Sequence, residues 1–392
     1  MSKVEEYNLV DITSGIHTGL NPRKNFKLNT LDAKFYYVTV KEIASNKVIF
    51  SENTDRINSD AWNVIQNRSH LSKGDILFSG IGTIGKVAYV NEDPKNWNCS
   101  ESVYVIKPFN GLSGKYLYYV LQTNKIIKQY EANSAGSIMK GVRKANLEQL
   151  RIPLPHIKVQ EEMVKILDSF TNLIDALNEE LSLRQKQFEY YREKLLTFDD
   201  KSIYTTLDKV GKFTRGNGLQ KKDFTEYGFP CIHYGQIHTS YNTSTFSTIS
   251  YCSKSLAKKL KKAKYGDLLI ATTSEDVDAC CKAIAWLGEG EVAYSGDSYC
   301  FSHNENPKYM AYLFQSNMFY NQKKTSATGA KVIRVSGDSM SQFILPIPSL
   351  AIQQSIVEKL DAFESLIASL KEEIALRQKQ YEYYREKLLT FD

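Results

Sequence analysis

A glycine-rich segment with one lysine is the best candidate for nucleotide chemistry in this chain. Residues 80–86, GIGTIGK, satisfy GxGxxG and also the first seven positions of a phosphate-binding loop. Such a loop needs Ser or Thr after the lysine to hold Mg²⁺, and a helix whose N-terminus faces the phosphates. Here Val87 follows the lysine, and the sequence continues like a β-strand. The pattern therefore favours a glycine-rich hairpin over a nucleotide site.

The other patterns of reactive side chains form no complete catalytic or metal site. GxSxG, HExxH and the Asn-Pro-Pro-Tyr signature of adenine methyltransferases do not occur in the sequence. A carboxylate cluster, Glu275, Asp276 and Asp278, is more typical of a solvated loop than of a metal site. Four side chains could be gathered as zinc ligands: Cys231, His233, Cys252 and Cys280. They lack the paired spacing of zinc sites. The sequence predicts a non-catalytic chain without cofactor or metal, and six reduced, buried cysteines.

Polar and basic loops with interleaved aromatic residues are typical of nucleic-acid contacts. The predicted DNA-binding residues are Lys86, Lys140, Arg143, Arg215, Asn217, Lys221, Lys222, Tyr234, Gln236, His238, Lys331 and Arg334. Lys86, Lys221 and Lys222 are assigned to phosphates, and most of the others to base edges. Taken singly, each loop is explained equally well as an ordinary solvent loop. The lysine-rich run at residues 258–264 could touch phosphates, but such a run is more typical of a solvated helix face.

A tandem repeat contains the elements that position these loops. Residues 183–199, LRQKQFEYYREKLLTFD, return as residues 376–392, with Phe188 replaced by Tyr381 as the only difference. A Pro-x-Pro step precedes each copy, and upstream of these steps the two halves resemble each other only faintly. One part of each repeat is therefore constant and the other is variable.

The constant part carries a heptad pattern with one arginine in each repeat. The predicted seam consists of Leu167, Phe170, Ile174, Leu177, Leu181, Arg184, Phe188 and Tyr191, and of Leu360, Phe363, Ile367, Leu370, Ile374, Arg377, Tyr381 and Tyr384. Such a seam needs a partner helix, so we expect two helices of about 40 residues to pair as an antiparallel coiled coil with pseudo-two-fold symmetry. The alternative is that each helix packs only on its own domain.

The segments before the helices lack long helical periods and contain short β-like runs. We expect an α+β fold, with two globular mixed α/β domains in tandem and a long helix after each. The predicted boundaries are residues 1–155 for the first domain, 156–199 for the first helix, 200–348 for the second domain and 349–392 for the second helix.

Composition indicates a globular protein with more than one domain. The chain has 392 residues, 42% of them hydrophobic, and a formal net charge of +6, which favours a polyanionic partner only weakly. No stretch approaches the ~18 apolar residues that span a bilayer, and the first residues lack the apolar core of a signal peptide. The sequence predicts a cytoplasmic protein with no membrane partner.

The order of variable domain, Pro-x-Pro step and long helix, repeated twice, resembles the specificity (S) subunit of type I restriction-modification systems. The likeness covers nearly the whole chain and is most specific at residues 152–155 and 345–357 and in the helices that follow. Residues 233–241 and 329–337 are also similar to recurrent segments of that family's target-recognition domains.

This resemblance implies a non-catalytic subunit that binds double-stranded DNA, each variable domain reading one half of a bipartite target. The paired helices would act as spacer and as docking surface for two methyltransferase (M) subunits, and motor-nuclease (R) subunits would join for cleavage. S-adenosylmethionine, ATP and Mg²⁺ are expected on those partners. Two domains on one face of DNA should place the half-site centres about one turn apart, ~34 Å.

Two other functions remain open from the sequence. One is a protein-binding coiled-coil scaffold without DNA specificity, which would select no sequence from random DNA. The other is a stand-alone nuclease or NTPase that uses residues 80–86, which would require nucleotide binding by the purified chain.

Overall fold

The structure, a computed structural model, describes residues 4–44, 46–109, 111–132, 141–329 and 331–391. The chain forms two compact units. The first unit comprises Met1–Asn178 together with Glu372–Asp392, and the second comprises Glu179–Lys371. Each unit therefore contains one globular domain, the first half of the helix that follows it, and the second half of the helix from the other repeat.

The globular domain of the first unit alternates short strands with short helices. Its strands are β1 (Glu6–Asn8), β2 (Thr13–Thr18), β3 (Phe35–Val38), β4 (Ile43–Ala44), β5 (Lys47–Val48), β6 (Arg56–Ile57), β7 (Ile76–Ser79), β8 (Val87–Tyr89), β9 (Trp97–Cys99), β10 (Val103–Pro108) and β11 (Arg151–Pro153). Its helices are α1 (Pro22–Asn25), α2 (Ser59–Ser69), α3 (Gly114–Val120), α4 (Asn124–Ala132) and α5 (Lys144–Glu148), and the long helix α6 (Ile157–Leu195) follows.

An antiparallel sheet of order β2-β10-β7-β8 is the centre of this domain. A second sheet, β6-β3-β9, contains a parallel pair, β3 with β9. Strand β7 is buried on both faces, which explains its continuous apolar sequence Ile-Leu-Phe. One of its faces packs on α3, α4 and the long helices through a cluster that includes Phe78, Tyr116 and Leu167.

The second unit repeats this plan with more strands. They are β12 (Tyr204–Thr206), β13 (Gly211–Arg215), β14 (Phe224–Thr225), β15 (Phe229–Ile232), β16 (Ser244–Thr245), β17 (Ser250–Cys252), β18 (Lys262–Ala263), β19 (Leu268–Ala271), β20 (Thr273–Ser274), β21 (Lys282–Trp286), β22 (Val292–Tyr294), β23 (Ser298–His303), β24 (Ile333–Arg334) and β25 (Ile344–Pro346). The helices are α7 (Leu207–Val210), α8 (Tyr234–Thr239), α9 (Lys254–Ala257), α10 (Pro307–Leu313), α11 (Asn317–Ser326), α12 (Gly337–Ser341) and the long α13 (Leu350–Leu389).

The two domains share their sheet order and pairing direction. The sheet β13-β23-β19-β21-β16 extends the order of β2-β10-β7-β8 by one strand, and β15 pairs in parallel with β22 as β3 does with β9. The expectation of tandem mixed α/β domains, each followed by a long helix, is confirmed.

The long helices pack against each other in antiparallel direction inside each unit. In the first unit the ring of Phe170 stacks on Tyr384 with centroids 5.3 Å apart, and Asn178 lines the same cavity as Gln378. In the second unit Tyr191 stacks on Phe363 at 5.4 Å, and Phe198 lines a cleft with residues 351–356 of α13. In each unit residue numbers rise along one helix as they fall along the other.

Every predicted seam residue is buried or half-buried, whereas the exposed positions of both helices lie off the seam. The seam arginines find partners on their own helices. Arg184 lies 3.4 Å from Glu180, and Arg377 lies 2.7 Å from Glu373. The alternative of helices that pack only on their own domains accounts for part of the contacts, because each helix also packs on a domain along its flank.

A lysine, a tyrosine and an aspartate attach each domain to the helix that follows it. In the first unit Asp168 accepts a hydrogen bond from Tyr119 at 2.7 Å and pairs with Lys115. The second unit repeats this triad 193 residues later: Tyr312 donates to Asp361 at 2.8 Å, and Lys308 lies 2.6 Å from the same carboxylate. Burial raises the pKa of both tyrosines, so their hydroxyls stay protonated donors.

The repeated block attaches each domain to the helix end that comes from the other repeat. Glu386 accepts the backbone N–H of Asn124, the first residue of α4, at 3.1 Å. Glu193 accepts the N–H of Asn317, the first residue of α11, at 2.8 Å. A carboxylate at a helix N-terminus satisfies an unpaired donor and complements the helix dipole. The identity of the two blocks therefore has a structural reason: each copy fits an equivalent domain surface.

The single difference between the two blocks yields a stability prediction. Tyr381 is 2% exposed, and its hydroxyl forms no hydrogen bond of good geometry with the described residues, although the guanidinium of Arg385 lies over its ring, 5.4 Å from the centroid. Burial raises its pKa, and the guanidinium of Arg385 partly offsets this. Because an unsatisfied buried polar group costs about 1–3 kcal/mol, we expect Tyr381→Phe to increase the free energy of unfolding by about 1 kcal/mol.

The measurement is chemical denaturation of the purified chain. Phe188→Tyr is the matched control, because it adds the hydroxyl at the equivalent position and should lower stability. A Tyr381→Phe chain that unfolds more readily than the unaltered chain would contradict the prediction.

Candidate nucleic-acid interface

Most of the second-domain residues predicted to bind DNA form one connected surface in the second unit. A polar depression is lined by Arg215, Tyr234 and the turn at residues 295–297. The loop after β13 forms one wall, helix α8 another, and the pairing of β20 with β24 continues the surface beyond α8. The turn at residues 295–297 was missed from the sequence; its only signal is a Ser-Gly-Asp turn between two strand-like runs.

The loop after β13 is fixed by hydrogen bonds from its own side chains. The guanidinium of Arg215 donates to the carbonyl of Gly296 at 3.0 Å and lies 3.9 Å from Asp297, while the side chain remains 64% exposed. Gly216 is required, because a Cβ there would lie 2.1 Å from the carbonyl oxygen of Ser295. Arg215 therefore presents a fixed, solvent-accessible cation at the rim of the depression.

Helix α8 places an aromatic and imidazole group beside this loop. The rings of His233 and Tyr234 lie 4.5 Å apart between centroids, and Nε2–H of His238 donates to the carbonyl of Thr273 at 3.0 Å. Burial, and next the nearby Lys221, lowers the pKa of His233. This imidazole is therefore neutral at pH 7. Tyr234 is half-buried and keeps part of its ring accessible.

Strand β24, which pairs with β20, and the turn before it carry the last two predicted cations. Thr273 is paired with Arg334, and the backbone of Arg334 also exchanges two 2.9 Å hydrogen bonds with Thr328. The Arg334 and Lys331 side chains are both exposed. Because His238 contacts Thr273, the helix α8 group and the β24 cations belong to the same surface. Lys221 and Lys222 are exposed on the 3-10 turn Lys221–Asp223 after the first loop.

Two predicted base-reading amides are engaged inside the fold instead. Asn217 donates to the carbonyl of Lys259 at 2.9 Å and accepts from the N–H of Lys261 at 2.7 Å. Gln236 is 9% exposed; it accepts from the N–H of His233 and donates to Ser250 at 2.7 Å. Both amides already have backbone or side-chain partners on each side, so a base contact would have to replace these bonds, and their assignment to base edges stays a prediction.

In the first unit, residues 80–86 connect β7 to β8 as a hairpin, as expected, and no helix follows the lysine. Gly82 and Gly85 have φ of 86° and 82°, which suits glycine in a tight connection. The ammonium of Lys86 donates to the carbonyl of Val40 at 2.8 Å. The half-buried side chain thus connects the hairpin to a neighbouring loop, and its assignment to a DNA phosphate stays a prediction.

The hairpin pairs with the segment that carries the other first-domain candidates. Ile81 bridges to Gly141, and the N–H of Val142 donates to the carbonyl of Gly80 at 2.8 Å. Arg143 follows as the exposed residue before α5. This arrangement is equivalent to β20 with β24 in the second unit, where Thr273 pairs with Arg334. Gly141 therefore occupies the place of Arg334, and Arg143, the residue before α5, lies two residues further along the same segment. Lys140 lies outside the described residues.

Metal-ligating side chains elsewhere do not form a cluster within the part of the chain that the structure describes. No three histidine, cysteine or acidic side chains there are arranged to hold a metal ion. All six cysteines are buried and unpaired as disulfides, as predicted. Among the described residues, no helix combines the length and apolarity that a bilayer crossing requires.

Comparison with known proteins identifies the family. The model of the type I restriction modification DNA specificity domain matches residues 1–183 and again residues 201–376. A putative type I restriction enzyme specificity subunit, S.HindORF215P of Haemophilus influenzae, is 32% identical over 315 residues, which cover 76% of this chain and 77% of that protein. The EcoR124I/EcoR124II specificity subunit of Escherichia coli is 30% identical over 293 residues, covering 71% and 70%.

Solved structures show the same fold at low sequence identity. The S subunit of a type I restriction-modification system from M. genitalium superposes with a TM-score of 0.53 at 16% identity, over 100% of this chain and 98% of that chain. A chain from a study of complex assembly and conformational transition of the type I R-M system gives 0.60 at 16% identity, over 99% and 98%. The chain belongs to the family of type I restriction-modification specificity subunits.

Proposed function

We propose that this chain reads a bipartite sequence in double-stranded DNA, one half with each domain, and that it supplies specificity to methyltransferase and motor-nuclease partners. The strongest observation in favour of this proposal is that equivalent contacts attach the two domains to the long helices. Triads at Asp168 and Asp361 hold two domains of one topology, whose exposed loops differ in sequence. A constant scaffold with variable loops suits a protein that recognises two different half-sites.

The candidate reading residues are those that the structure leaves exposed or half-exposed on the two equivalent surfaces. They are Arg143 in the first domain and Arg215, Lys221, Lys222, Tyr234, His238, Lys331 and Arg334 in the second. Guanidinium groups can donate two hydrogen bonds to a guanine edge, whereas lysines on a turn suit phosphates. Catalysis, with S-adenosylmethionine, ATP and Mg²⁺, belongs to the partners in this proposal, and the complex acts on DNA in the cytoplasm.

Selection from random duplex DNA tests this function. The chain, assembled with its methyltransferase partner, should enrich two short sequences separated by a fixed gap. Enrichment of no sequence would favour the protein-binding scaffold instead.

The helices also carry matching apolar residues that face solvent. Leu183 and Leu376 are 59% and 55% exposed, and Tyr190 and Tyr383 are 60% and 59% exposed. These residues lie off the seam and in equivalent positions of the two copies. Exposed apolar groups of this size indicate a binding surface, and two equal surfaces suit two copies of one partner. In this proposal they dock the two methyltransferase subunits.

Removing one copy of this surface should remove one partner. We expect Leu183→Ala with Tyr190→Ala to weaken one of the two methyltransferase sites by ten-fold or more, because each side chain buries substantial apolar area on docking. Native mass spectrometry should then detect a complex with one methyltransferase subunit. Val64→Ala is the control, since this equally exposed residue lies on α2 of the first domain. Two bound subunits in the double variant would contradict the docking assignment.

A further inference from the structure

The lysine-rich run of the second unit is not the solvated helix face that its sequence suggests. Helix α9 ends at Ala257, and the lysines that follow lie in a turn and in the two-residue strand β18. Leu256, Ala257 and Leu260 face inward and join an apolar cluster. Lys258, Lys259 and Lys261 are exposed. The run therefore forms a ridge with an apolar underside and a cationic outer edge.

This ridge, residues 254–264, carries uncompensated positive charge. It contains six lysines and no acidic residue, giving +6. Among the residues that the structure describes, the only acid paired with it is Glu291, 3.4 Å from Lys262. Surface charges of one sign at this density raise the potential locally and attract a polyanion.

Asn217 joins the ridge to the candidate DNA surface. Its amide bonds to the carbonyl of Lys259 and to the N–H of Lys261, on both sides of the buried Leu260. Leu219 of the same loop lies in the apolar cluster with Leu260. The loop that bears Arg215 at one end and Lys221 at the other thus rests on the ridge, and the exposed cations of both elements are continuous.

Among the described residues of the first domain there is no equivalent ridge. The stretch that precedes its matching Gly-Asp step, residues 58–74, contains Arg68, Lys73 and Asp60, a net charge of 2 − 1 = +1. Helix α2 occupies this stretch. The two domains therefore differ in the charge they place beside their reading loops.

We propose that the lysine ridge binds the phosphodiester backbone of the duplex beside the second half-site and makes the second domain the electrostatic anchor of the chain on DNA. This rests on the proposed function. A phosphate contact is independent of base sequence, and each one adds about 0.9 to the slope of log affinity against log salt. Three contacts contribute about 2.7 to this slope, which corresponds to about a 40-fold loss of affinity between 50 and 200 mM salt. A variant without these contacts should not show this part of the loss.

The test uses the complete chain with its methyltransferase subunits and measures dissociation constants for its target duplex at several salt concentrations. The variant Lys258→Gln, Lys259→Gln, Lys261→Gln should lower the salt slope by about 2 to 3. Its affinities for the target and for a duplex with a scrambled second half-site should fall by the same factor. The control is Lys209→Gln with Lys212→Gln, two exposed lysines away from the ridge, which should leave the slope unchanged.

The possible outcomes distinguish a failure of the ridge proposal from a failure of the proposed function. An unchanged slope in the triple variant, with the target still preferred, would overturn the ridge proposal alone. A lost preference with an unchanged slope would make these residues base readers and would also overturn it. Loss of methyltransferase binding at an unchanged slope would make the ridge a protein contact. A wild-type complex without any sequence preference would overturn the proposed function itself. Thermal unfolding of each variant establishes that all of them are folded.

Discussion

A chain with one extra heptad in each long helix should direct methylation to a target whose two halves lie about three base pairs further apart. Seven helical residues add about 10 Å, and the repeat of seven preserves the face that each helix presents to its partner. The insertion belongs between Asn178 and Glu179 and between Lys371 and Glu372, where the two units meet along the chain. There it leaves the Asp168 and Asp361 triads untouched. The measurement is sequencing of methylated bases in a host that carries the variant.

A heptad in only one helix is the control for this prediction. It mismatches the two helices, so it should reduce methylation rather than define a new gap. If the doubly extended chain methylated its target with the original gap, the helices would not set the spacing between half-sites.

Arg334→Ala should abolish discrimination at one position of the second half-site and leave the first half-site unchanged. A bidentate contact from arginine to a base is worth about 1–3 kcal/mol, so the preference for the correct base should fall roughly 5- to 150-fold. Arg334→Lys should give a similar loss, because lysine cannot donate two hydrogen bonds in fixed geometry. Affinities for duplexes substituted at each position in turn measure the effect.

Arg143→Ala provides the reciprocal control, since Arg143 is the exposed cation beside the equivalent strand bridge of the first domain. It should relax one position of the first half-site only. A uniform loss of affinity for all duplexes in the Arg334 variant would mean that this residue contacts a phosphate and does not read a base.

The helices could be predicted from the sequence because heptad spacing directly encodes a buried stripe. Leu167 and Leu360 are fully buried at the positions that the pattern gives, and the observed helices fall within the predicted ranges. The pattern could not show which domain each part of a helix contacts. The attachment of Glu386 to α4 spans 262 residues and depends on the completed fold.

The candidate DNA-binding surface could be predicted only in part, because the sequence shows which side chains are polar but not which of them find hydrogen-bond partners within the fold. Asn217 and Gln236 have the right chemistry for base edges, yet their amides are taken by groups that neighbour them only after folding. Lys86 is engaged in the same way by a carbonyl 46 residues away. In contrast, Arg334 lies on strand β24 and Lys331 in the turn before it, and both side chains are exposed. Nothing in the described structure competes for their charges.

The structure of the lysine-rich run could likewise not be predicted from the sequence. The spacing of lysines at residues 258–264 matches a solvated helix. In the structure α9 ends early, and Asn217 bonds to the backbone of the run, so the run lies beside the loop that carries the candidate DNA-binding residues. For the repeated block, the structure adds a second explanation to the one that the sequence suggested. Its identity could be explained by partner docking alone, but the equivalent contacts of Glu193 and Glu386 add a requirement from within the chain.

Replacing the second domain tests most directly the claim that each domain reads one half-site. The variant would carry the corresponding domain of the Haemophilus influenzae relative at residues 200–348, keeping Lys308 and Tyr312 so that Asp361 retains its partners. Methylated bases would be mapped across a host genome for the variant and the unaltered chain. We expect one half of the target to change while the other half and the gap stay the same. A change in both halves, or in neither, would contradict independent reading by the two domains.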